Sequence, residues 1–372
     1  MNRHLTCLLA AGLTAATISA QDAAPPPPAG AGAGADGGGE MQPGLQTAEN
    51  NAAADEMTRE LDIAVGQGLA ALVELQNDDG SWGQGRYSHH AGITALACLA
   101  FLADGHFPGR GRYGDVVLRG LNFILDNTNE TGMIAAENTS HGPMYGHGFC
   151  TLFLGEIYGM LPGGGDSALS TRVHDALLKA CRLIVQTQNR EGGWRYNPVP
   201  YDADISVTIC QIMALRSARN AGIEIPKSTI DRAVEYVERS QNPDGGFKYQ
   251  LVGGSSNWPR TGAGVASLYY AGIYSGPQID NGLTYLMDNA LPEHAVNAGS
   301  HYFYGHYYAV QAMYLAGGDY WAQWWPAIRD ELIDRQGDKG IWEDRHAGDA
   351  YGTAMALIIL QMPKRYLPIF QK

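Results

Sequence analysis

The stretch Leu75-Gln76-Asn77-Asp78-Asp79-Gly80-Ser81-Trp82 contains a short pattern that the chain repeats. In it, Gln is followed by Gly four residues later and by an aromatic residue six residues later. The same frame recurs at 188–194, 241–247 and 336–342, and a weaker fifth copy consists of Thr128, Gly132 and Ile134. Self-similarity of this kind is the signature of a repeat architecture, so it decides the fold before any single segment does.

Each copy lies between two helical runs of different character. The run before a copy has a single apolar stripe, as at Val173, Leu177, Cys181 and Ile184. The run after a copy is apolar on nearly every side, as at 93–102. A helix with one wet face belongs at the surface, whereas a helix that is apolar all round belongs inside. The alternation therefore predicts an outer ring of helices around an inner ring.

A repeated tripeptide opens the second helices and marks six units. Its middle residues are Gly92, Gly146, Asp204, Gly262, Gly305 and Gly352, and the inner helices are expected to begin close to them. The predicted fold class is all-α, with six helical hairpins forming an (α/α)6 toroid. The turn glutamines are expected to hydrogen-bond exposed groups at helix ends, and the turn aromatics to cover the hairpins.

The N-terminal residues are predicted to be removed or disordered. Residues 1–20 are typical of a secretory signal peptide, with Arg3 near the start, an apolar run over 5–18 and small residues before the cleavage point. Residues 21–54 are rich in Pro and Gly, lack an apolar face and are predicted to be a disordered linker. The toroid is expected over 55–372 of an exported protein, either periplasmic or extracellular.

Composition restricts the classes of partner. The net charge is −13 at pH 7, which argues against nucleic acid or an anionic membrane surface as the main partner. No apolar run is long enough for a transmembrane segment. The four cysteines beyond the signal peptide lie in helical runs, where buried free thiols are favoured although export permits disulfides: Cys98, Cys150, Cys181 and Cys210.

The Gln-x-x-x-Gly-x-Trp turn, repeated between helices within six hairpins, resembles the terpene cyclase and prenyltransferase repeat superfamily. That superfamily includes squalene–hopene cyclases and protein prenyltransferases, and the resemblance covers roughly residues 58–362. The stretches 145–148, 193–196 and 354–357 are similar to exported bacterial repeat proteins of unassigned activity. The resemblance implies a toroid with a small hydrophobic or isoprenoid-type ligand in its central cavity. Fold does not determine function, so the site is argued from its residues.

Parallel inner helices would bring their N-termini to one mouth of the cavity. The repeated tripeptides place nine candidate ligand-binding residues there: His89, His90, Tyr145, His147, Arg260, Tyr302, Tyr304, His306 and Tyr351. The segment 201–206 resembles the Asp-x-Asp-Asp-Thr motif of squalene–hopene-type cyclases, whose middle carboxylic acid protonates an alkene. Asp202 and Asp204 match its first two acids and are the candidate catalytic residues, while Ile205 and Ser206 replace the last two positions.

A helix cap is the competing interpretation of this segment, since helix starts recruit Asp. A nearby helix N-terminus is expected to lower the pKa of Asp204, which opposes acid catalysis. No Cys stands beside Asp202 or Asp204 as in the zinc site of prenyltransferases. His147, His306 and Asp204 could form a metal site by composition, but nothing in their spacing shows that they converge, so neither a metal nor another cofactor is predicted.

Two other functions stay open. A carbohydrate-active toroid, either a lyase or a hydrolase, would use the Tyr and His residues as bases and Arg260 to neutralise a uronate. A non-catalytic scaffold would bind a hydrophobic molecule or a protein partner.

Overall fold

The structure is a computed structural model that describes residues 56–136, 142–161, 167–292 and 301–371. The predicted signal peptide and linker lie outside the described residues. Every described residue belongs to one compact unit, Thr47–Lys372.

The described residues form twelve α-helices in six hairpins, with the outer helix of each hairpin first. The outer helices are α1 (Arg59–Glu74), α3 (Gly114–Asp126), α5 (Ala168–Thr187), α7 (Lys227–Arg239), α9 (Pro277–Ala290) and α11 (Gly318–Arg335). The inner helices are α2 (Ala91–Leu102), α4 (Met144–Ile157), α6 (Ile205–Asn220), α8 (Trp258–Tyr270), α10 (Tyr302–Ala316) and α12 (Asp349–Leu360). Within these ranges β structure is limited to isolated bridges.

The two rings differ in burial as predicted. Every residue of α2 is buried, whereas α7 buries only Thr229, Ala233, Tyr236 and Val237. The inner helices pack in the order α2, α4, α6, α8, α10 and α12, and α12 packs back on α2, which closes the ring. Each inner helix begins within four residues of its predicted position. The all-α toroid is therefore confirmed.

Glutamine side chains join neighbouring hairpins. Gln188 Nε2 donates to the carbonyl oxygen of Gly192 at 2.7 Å and to that of Thr229, in the next outer helix, at 2.8 Å. Gln76 and Gln241 make equivalent pairs of bonds. The partner carbonyls lie in the first turn of the next helix, so they are at a helix end as expected, but that end belongs to the neighbouring hairpin. The second bond of each glutamine therefore links one hairpin to the next.

The glutamine of the last turn makes the same pair of hydrogen bonds, and these close the ring. Gln336 Nε2 donates to the carbonyl oxygen of Gly340 at 3.1 Å and to that of Ala64, in α1, at 2.9 Å. The sixth hairpin is thereby bonded to the first.

The turn glycines combine a left-handed backbone with close packing. Gly192 has a φ of +101°, and a Cβ atom there would lie 2.0 Å from the carbonyl oxygen of Arg232. The same crowding against the neighbouring outer helix occurs at the other turn glycines, Gly80, Gly132, Gly245 and Gly340. Gly132 belongs to the weaker copy, so that copy keeps the turn although Thr128 replaces its Gln.

The turn aromatics tie the two helices of a hairpin together. Trp194 Nε1 donates to the carbonyl oxygen of Ile184 at 2.7 Å, and the Trp194 backbone N–H donates to Thr208 Oγ1 at 3.1 Å. Trp82 and Trp342 repeat both bonds. Buried indole N–H groups need such acceptors, so these tryptophans are structural.

The far end of the ring is covered by the last residues of the chain. The Ile369 N–H donates to Glu156 Oε2 at 3.0 Å, while Ser217 Oγ lies 2.7 Å from Glu156 Oε1 and 3.1 Å from the Leu152 carbonyl oxygen. One hydroxyl carries one proton, so both Ser217 contacts are satisfied when Glu156 is protonated and donates. Burial raises the pKa of Glu156 to about 7, in agreement with this arrangement.

We expect Gly192→Ala to lower the melting temperature by several degrees more than Gly222→Ala. Gly222 has a φ of +89°, and an added Cβ there would have no neighbouring atom within 4 Å. Gly222→Ala therefore measures the backbone strain alone, which is about 1–2 kcal/mol. Gly192→Ala adds the clash with the Arg232 carbonyl, and overpacking costs about 1–3 kcal/mol. Thermal unfolding of both variants checks this, and equal losses would show that the turn does not need close contact between hairpins.

Candidate functional site: the mouth of the inner ring

The central cavity lies at the N-terminal ends of the inner helices and has a volume of about 260 Å³. Its lining combines an apolar part with a set of tyrosines and histidines. The apolar and glycine residues are Gly92, Ile93, Leu96, Gly142, Gly146, Phe149, Ala347 and Met355, and the polar aromatic residues are Tyr87, His90, Tyr145, Tyr196, His301, Tyr304, His346 and Tyr351. A separate groove of about 1030 Å³ lies beside it and shares only His346 with this lining.

Contacts across the ring axis close the floor of the cavity. Phe149 on α4 packs edge-on against Tyr307 on α10, which is the opposite helix of the ring, with ring centroids 6.0 Å apart. Cys210 Sγ lies 3.2 Å from the Tyr308 hydroxyl, which again joins helices that are not neighbours. The site is thus a pit at one end of the toroid and does not continue along its axis.

Four of the predicted residues line this pit: His90, Tyr145, Tyr304 and Tyr351. His90 is the N-cap of α2, and its Nδ1 accepts a hydrogen bond from the Ile93 backbone N–H at 3.3 Å. Burial lowers the pKa of His90 to about 4 and raises the pKa of Tyr145, Tyr304 and Tyr351, so all four side chains are uncharged near neutral pH.

His147 is placed elsewhere, which corrects the expectation that it faces the cavity. Its Nδ1 accepts a hydrogen bond from the Ile134 backbone N–H at 3.2 Å, as Thr208 does from Trp194 in another hairpin. The imidazole therefore replaces a threonine in holding a turn to an inner helix. Burial lowers the pKa of His147 to about 4 and keeps it neutral.

The remaining four candidates also lie outside the cavity lining. His89 contacts Asp79 Oδ2 at 2.7 Å in the first turn, and the Arg260 Nη2 donates to the Ser255 carbonyl at 2.9 Å. Tyr302 packs under the guanidinium of Arg335, 4.3 Å from the ring centroid. His306 is buried between Trp258 and Tyr302, with centroid distances of 4.7 Å and 4.5 Å. Helical register turns the last two side chains away from the mouth.

Asp202 and Asp204 share one guanidinium beside the cavity and do not line it. Arg195 Nη1 donates to Asp202 Oδ2 at 2.5 Å, and Arg195 Nε lies 3.4 Å from Asp204 Oδ2. Asp204 is fully buried and is the N-cap of α6, where its Oδ1 accepts the Val207 N–H at 2.8 Å. Its capping role, the competing interpretation of the segment, is therefore what the contacts show.

The pKa of Asp204 moves opposite to the expectation from the helix N-terminus. Burial raises it to about 6, and this desolvation outweighs the lowering by the Val207 N–H, the Tyr249 hydroxyl and Arg195. The free energy of solvation that the fully buried carboxylate loses is larger than the stabilisation it gains from one cap and one shared guanidinium.

A chain of hydroxyl groups connects Asp204 to the cavity. The Tyr249 hydroxyl donates to Asp204 Oδ2 at 3.2 Å, and it also contacts the hydroxyl of Tyr196, which lines the cavity. Sequence reasoning missed both tyrosines. They lie in loops, where neither helical periodicity nor a repeated tripeptide marks them, and the same is true of Tyr87, His301 and His346.

Solved structures of known proteins resemble this toroid. The type II terpene cyclase MstE from Scytonema, in complex with geranylgeranyl dihydroxybenzoate, matches with a TM-score of 0.56 and 14% identity over 83% of this chain and 98% of that one. An inactive α-1,6-mannanase variant from Salegentibacter sp., with α-1,6-mannotriose, matches with a TM-score of 0.60 and 7% identity over 81% and 98%. The chain is an (α/α)6 toroid. Identities this low show the fold alone.

The other comparisons likewise show a similar fold and assign no family. A protein from Actinoplanes matches with a TM-score of 0.56 and 14% identity over 82% of this chain and 99% of that one. No protein-family model and no curated protein match the sequence. Among the described residues of the toroid, no helix is long and apolar enough to cross a membrane, and no group of three or more His, Cys, Asp or Glu side chains is placed to hold a metal.

Replacements of Asp204 distinguish the contribution of the helix cap to stability from the cost of burying the charged carboxylate. Because its folded pKa of about 6 exceeds the ordinary aspartate pKa of 3.8, Asp204 contributes stability that is fully present below about pH 4 and is lost as pH rises to about 6. Asn keeps an acceptor for the Val207 N–H and cannot ionise. We expect the melting temperature of Asp204→Asn, relative to the wild type, to rise between pH 4 and pH 7.

Asp204→Ala is the control for capping. It lacks the acceptor and should be less stable than Asp204→Asn at every pH, by about 0.5–2 kcal/mol. Thermal unfolding across this pH range measures both effects. An Asn variant whose relative stability falls with pH would mean that the carboxylate is stabilised as an anion, which contradicts the raised pKa.

Proposed function

We propose that this toroid binds an apolar, isoprenoid-type molecule in the pit at the mouth of its inner ring. The observation that carries this proposal is the lining, in which Ile93, Leu96, Phe149 and Met355 supply an apolar wall and the described residues supply no carboxylate, lysine or arginine. Concave, mainly apolar sites with a few fixed polar groups are typical of small-molecule binding. The fold similarity to a terpene cyclase in complex with a prenylated substrate supports the same ligand class.

The volume limits the length of the ligand. At about 260 Å³ the pit lies just below the range of about 300–1,000 Å³ that is common for small-molecule sites. The contact of Phe149 with Tyr307 prevents a longer chain from continuing down the axis. The site therefore suits a ligand of about ten carbons, or one end of a longer isoprenoid.

A carbohydrate-active function is less well supported. Glycosidases use two carboxyl groups on opposite sides of the scissile bond, and the described lining of the pit contains none, whereas Asp338, Glu343, Asp344 and Asp349 line the separate groove beside it. Arg260, the candidate partner for a uronate, is half-buried and bonded to backbone carbonyls outside the cavity.

Proton transfer to the bound ligand is the second candidate function, and the hydroxyl chain from Asp204 favours it. An acid with a pKa of about 6 is partly protonated near neutral pH, as general acids must be. The carboxyl group has no direct access to the cavity, so its proton would pass through Tyr249 and Tyr196. Asp204→Asn would then abolish product formation without changing ligand affinity.

Export belongs to the same proposal and is supported by residues 1–20, which have the charge and apolar pattern of a signal peptide. Expression with the native N-terminus should yield secreted protein that begins at Gln21. N-terminal sequencing checks this, and recovery of the uncleaved chain from the cytoplasm would contradict it.

Filling the cavity tests the binding proposal. Ala347 lines the mouth, and Ala347→Phe should weaken binding of the ten-carbon alcohol geraniol at least about tenfold, which is about 1.4 kcal/mol. Ala322→Phe, at an exposed position of α11, is the matched control and should bind normally. Titration calorimetry measures both, with α-1,6-mannotriose as the sugar probe. Binding of the sugar and not of geraniol would overturn the proposal.

A further inference from the structure

We propose that the cavity selects ligands that carry an uncharged oxygen, a hydroxyl or a carbonyl, to which His90 and Tyr304 each offer a hydrogen bond. This inference rests on the proposed function and specifies the chemistry of the ligand at the same site. It comes from two polar groups on residues that line the cavity, neither of which has a hydrogen-bond partner of good geometry among the described residues.

The tautomer of His90 is fixed by its role as a helix cap. Nδ1 accepts the Ile93 backbone N–H, so in the neutral ring that nitrogen has no proton and Nε2 carries it. The ring stays neutral, because burial lowers the pKa of His90 to about 4 and the positive end of α2 opposes a second proton. His90 is therefore a permanent N–H donor at neutral pH.

The orientation of His90 is fixed by close packing. A Cβ on Gly92 would lie 3.3 Å from His90 Cε1, and one on Gly146 would lie 3.5 Å from it. On another side the ring of Tyr87 packs edge-on, with centroids 5.6 Å apart. All four residues line the cavity, and Nε2 makes no hydrogen bond to any described residue. The donor is therefore held in place and has no hydrogen-bond partner among the described residues.

Tyr304 supplies the second group from α10. Its hydroxyl oxygen is buried and has no partner of hydrogen-bond geometry among the described residues, although Ser206 is close enough to influence its pKa. Burial raises the pKa of Tyr304, so the phenol stays protonated and can donate or accept. Unpaired buried polar groups are costly, so a ligand that bonds to this hydroxyl gains affinity.

A charged oxygen does not fit the same groups. The described lining has no lysine or arginine, and a phosphate or carboxylate buried without a countercharge is strongly disfavoured. The pKa of His301, at the rim, is lowered by burial and by His346 and Arg260, so this imidazole also stays neutral. An alcohol, by contrast, can accept a hydrogen bond from His90 Nε2, or bond to the Tyr304 hydroxyl, without a countercharge.

Three ten-carbon probes with related skeletons test this in the full chain: geraniol, the hydrocarbon myrcene and geranyl diphosphate. In calorimetric titrations we expect geraniol to bind about tenfold more tightly than either of the other two, as the gain of one or two hydrogen bonds predicts.

His90→Asn should remove this preference, which is measured as the ratio of the geraniol affinity to the myrcene affinity in the same variant. The Asn oxygen keeps the cap on Ile93, and its amide nitrogen occupies the place of Cδ2, short of Nε2. His89→Asn, at the neighbouring position outside the lining, is the matched control and should behave as the wild type. Tyr304→Phe removes only the phenol hydroxyl, which is the second proposed hydrogen-bonding group, and should also reduce the preference for geraniol.

The outcomes separate the two proposals. Equal binding of geraniol and myrcene, or a preference that survives in His90→Asn, would overturn oxygen recognition while leaving an apolar site. Tighter binding of geranyl diphosphate would overturn the requirement for an uncharged group. Absence of binding by all three probes would remove the proposed function itself.

Discussion

The two hydrogen atoms of one glutamine amide hold neighbouring hairpins of this toroid together. One bond stays within the turn and the other reaches the next outer helix, as in the contacts of Gln188 with Gly192 and Thr229. The amide fits only because a glycine lets the turn approach the neighbouring helix without a Cβ. This contact joins the first hairpin to the second, the third to the fourth, the fourth to the fifth and the sixth to the first, so these hairpins share one orientation and their inner helices begin at one end of the ring.

That common orientation creates the site. The inner helices are too close together for an open axis, since Phe149 on α4 reaches Tyr307 on the opposite helix. Space remains only at the mouth, where the helices begin and their caps and first turns lie. The helix caps lie at this end of the ring, but not all of them line the cavity. His90 caps α2 with one ring nitrogen and lines the cavity, whereas Asp204 caps α6 and lies outside the lining.

The fold could be predicted from the sequence because its turn has strict spacing, with Gln, Gly and an aromatic residue always at the same intervals. The cavity lining could be predicted only in part. Tyr145, Tyr304 and Tyr351 each precede the middle glycine of their tripeptide, and all three line the cavity. Tyr302 lies two residues before Tyr304, about 200° round the helix, and does not line it. His147 carries no sequence mark that distinguishes a ligand-binding imidazole from one that replaces a threonine. The raised pKa of Asp204 depends on complete burial, which no local pattern encodes.

The bond from Gln336 to Ala64 changes what a missing repeat would mean. Open solenoids lengthen or shorten by whole repeats, and they need terminal repeats with polar faces to protect their ends. A ring has no ends and carries no such caps. Removal of one hairpin would leave two inner helices with an apolar flank in water, so the number of units in this architecture can change only together with the curvature of the whole ring.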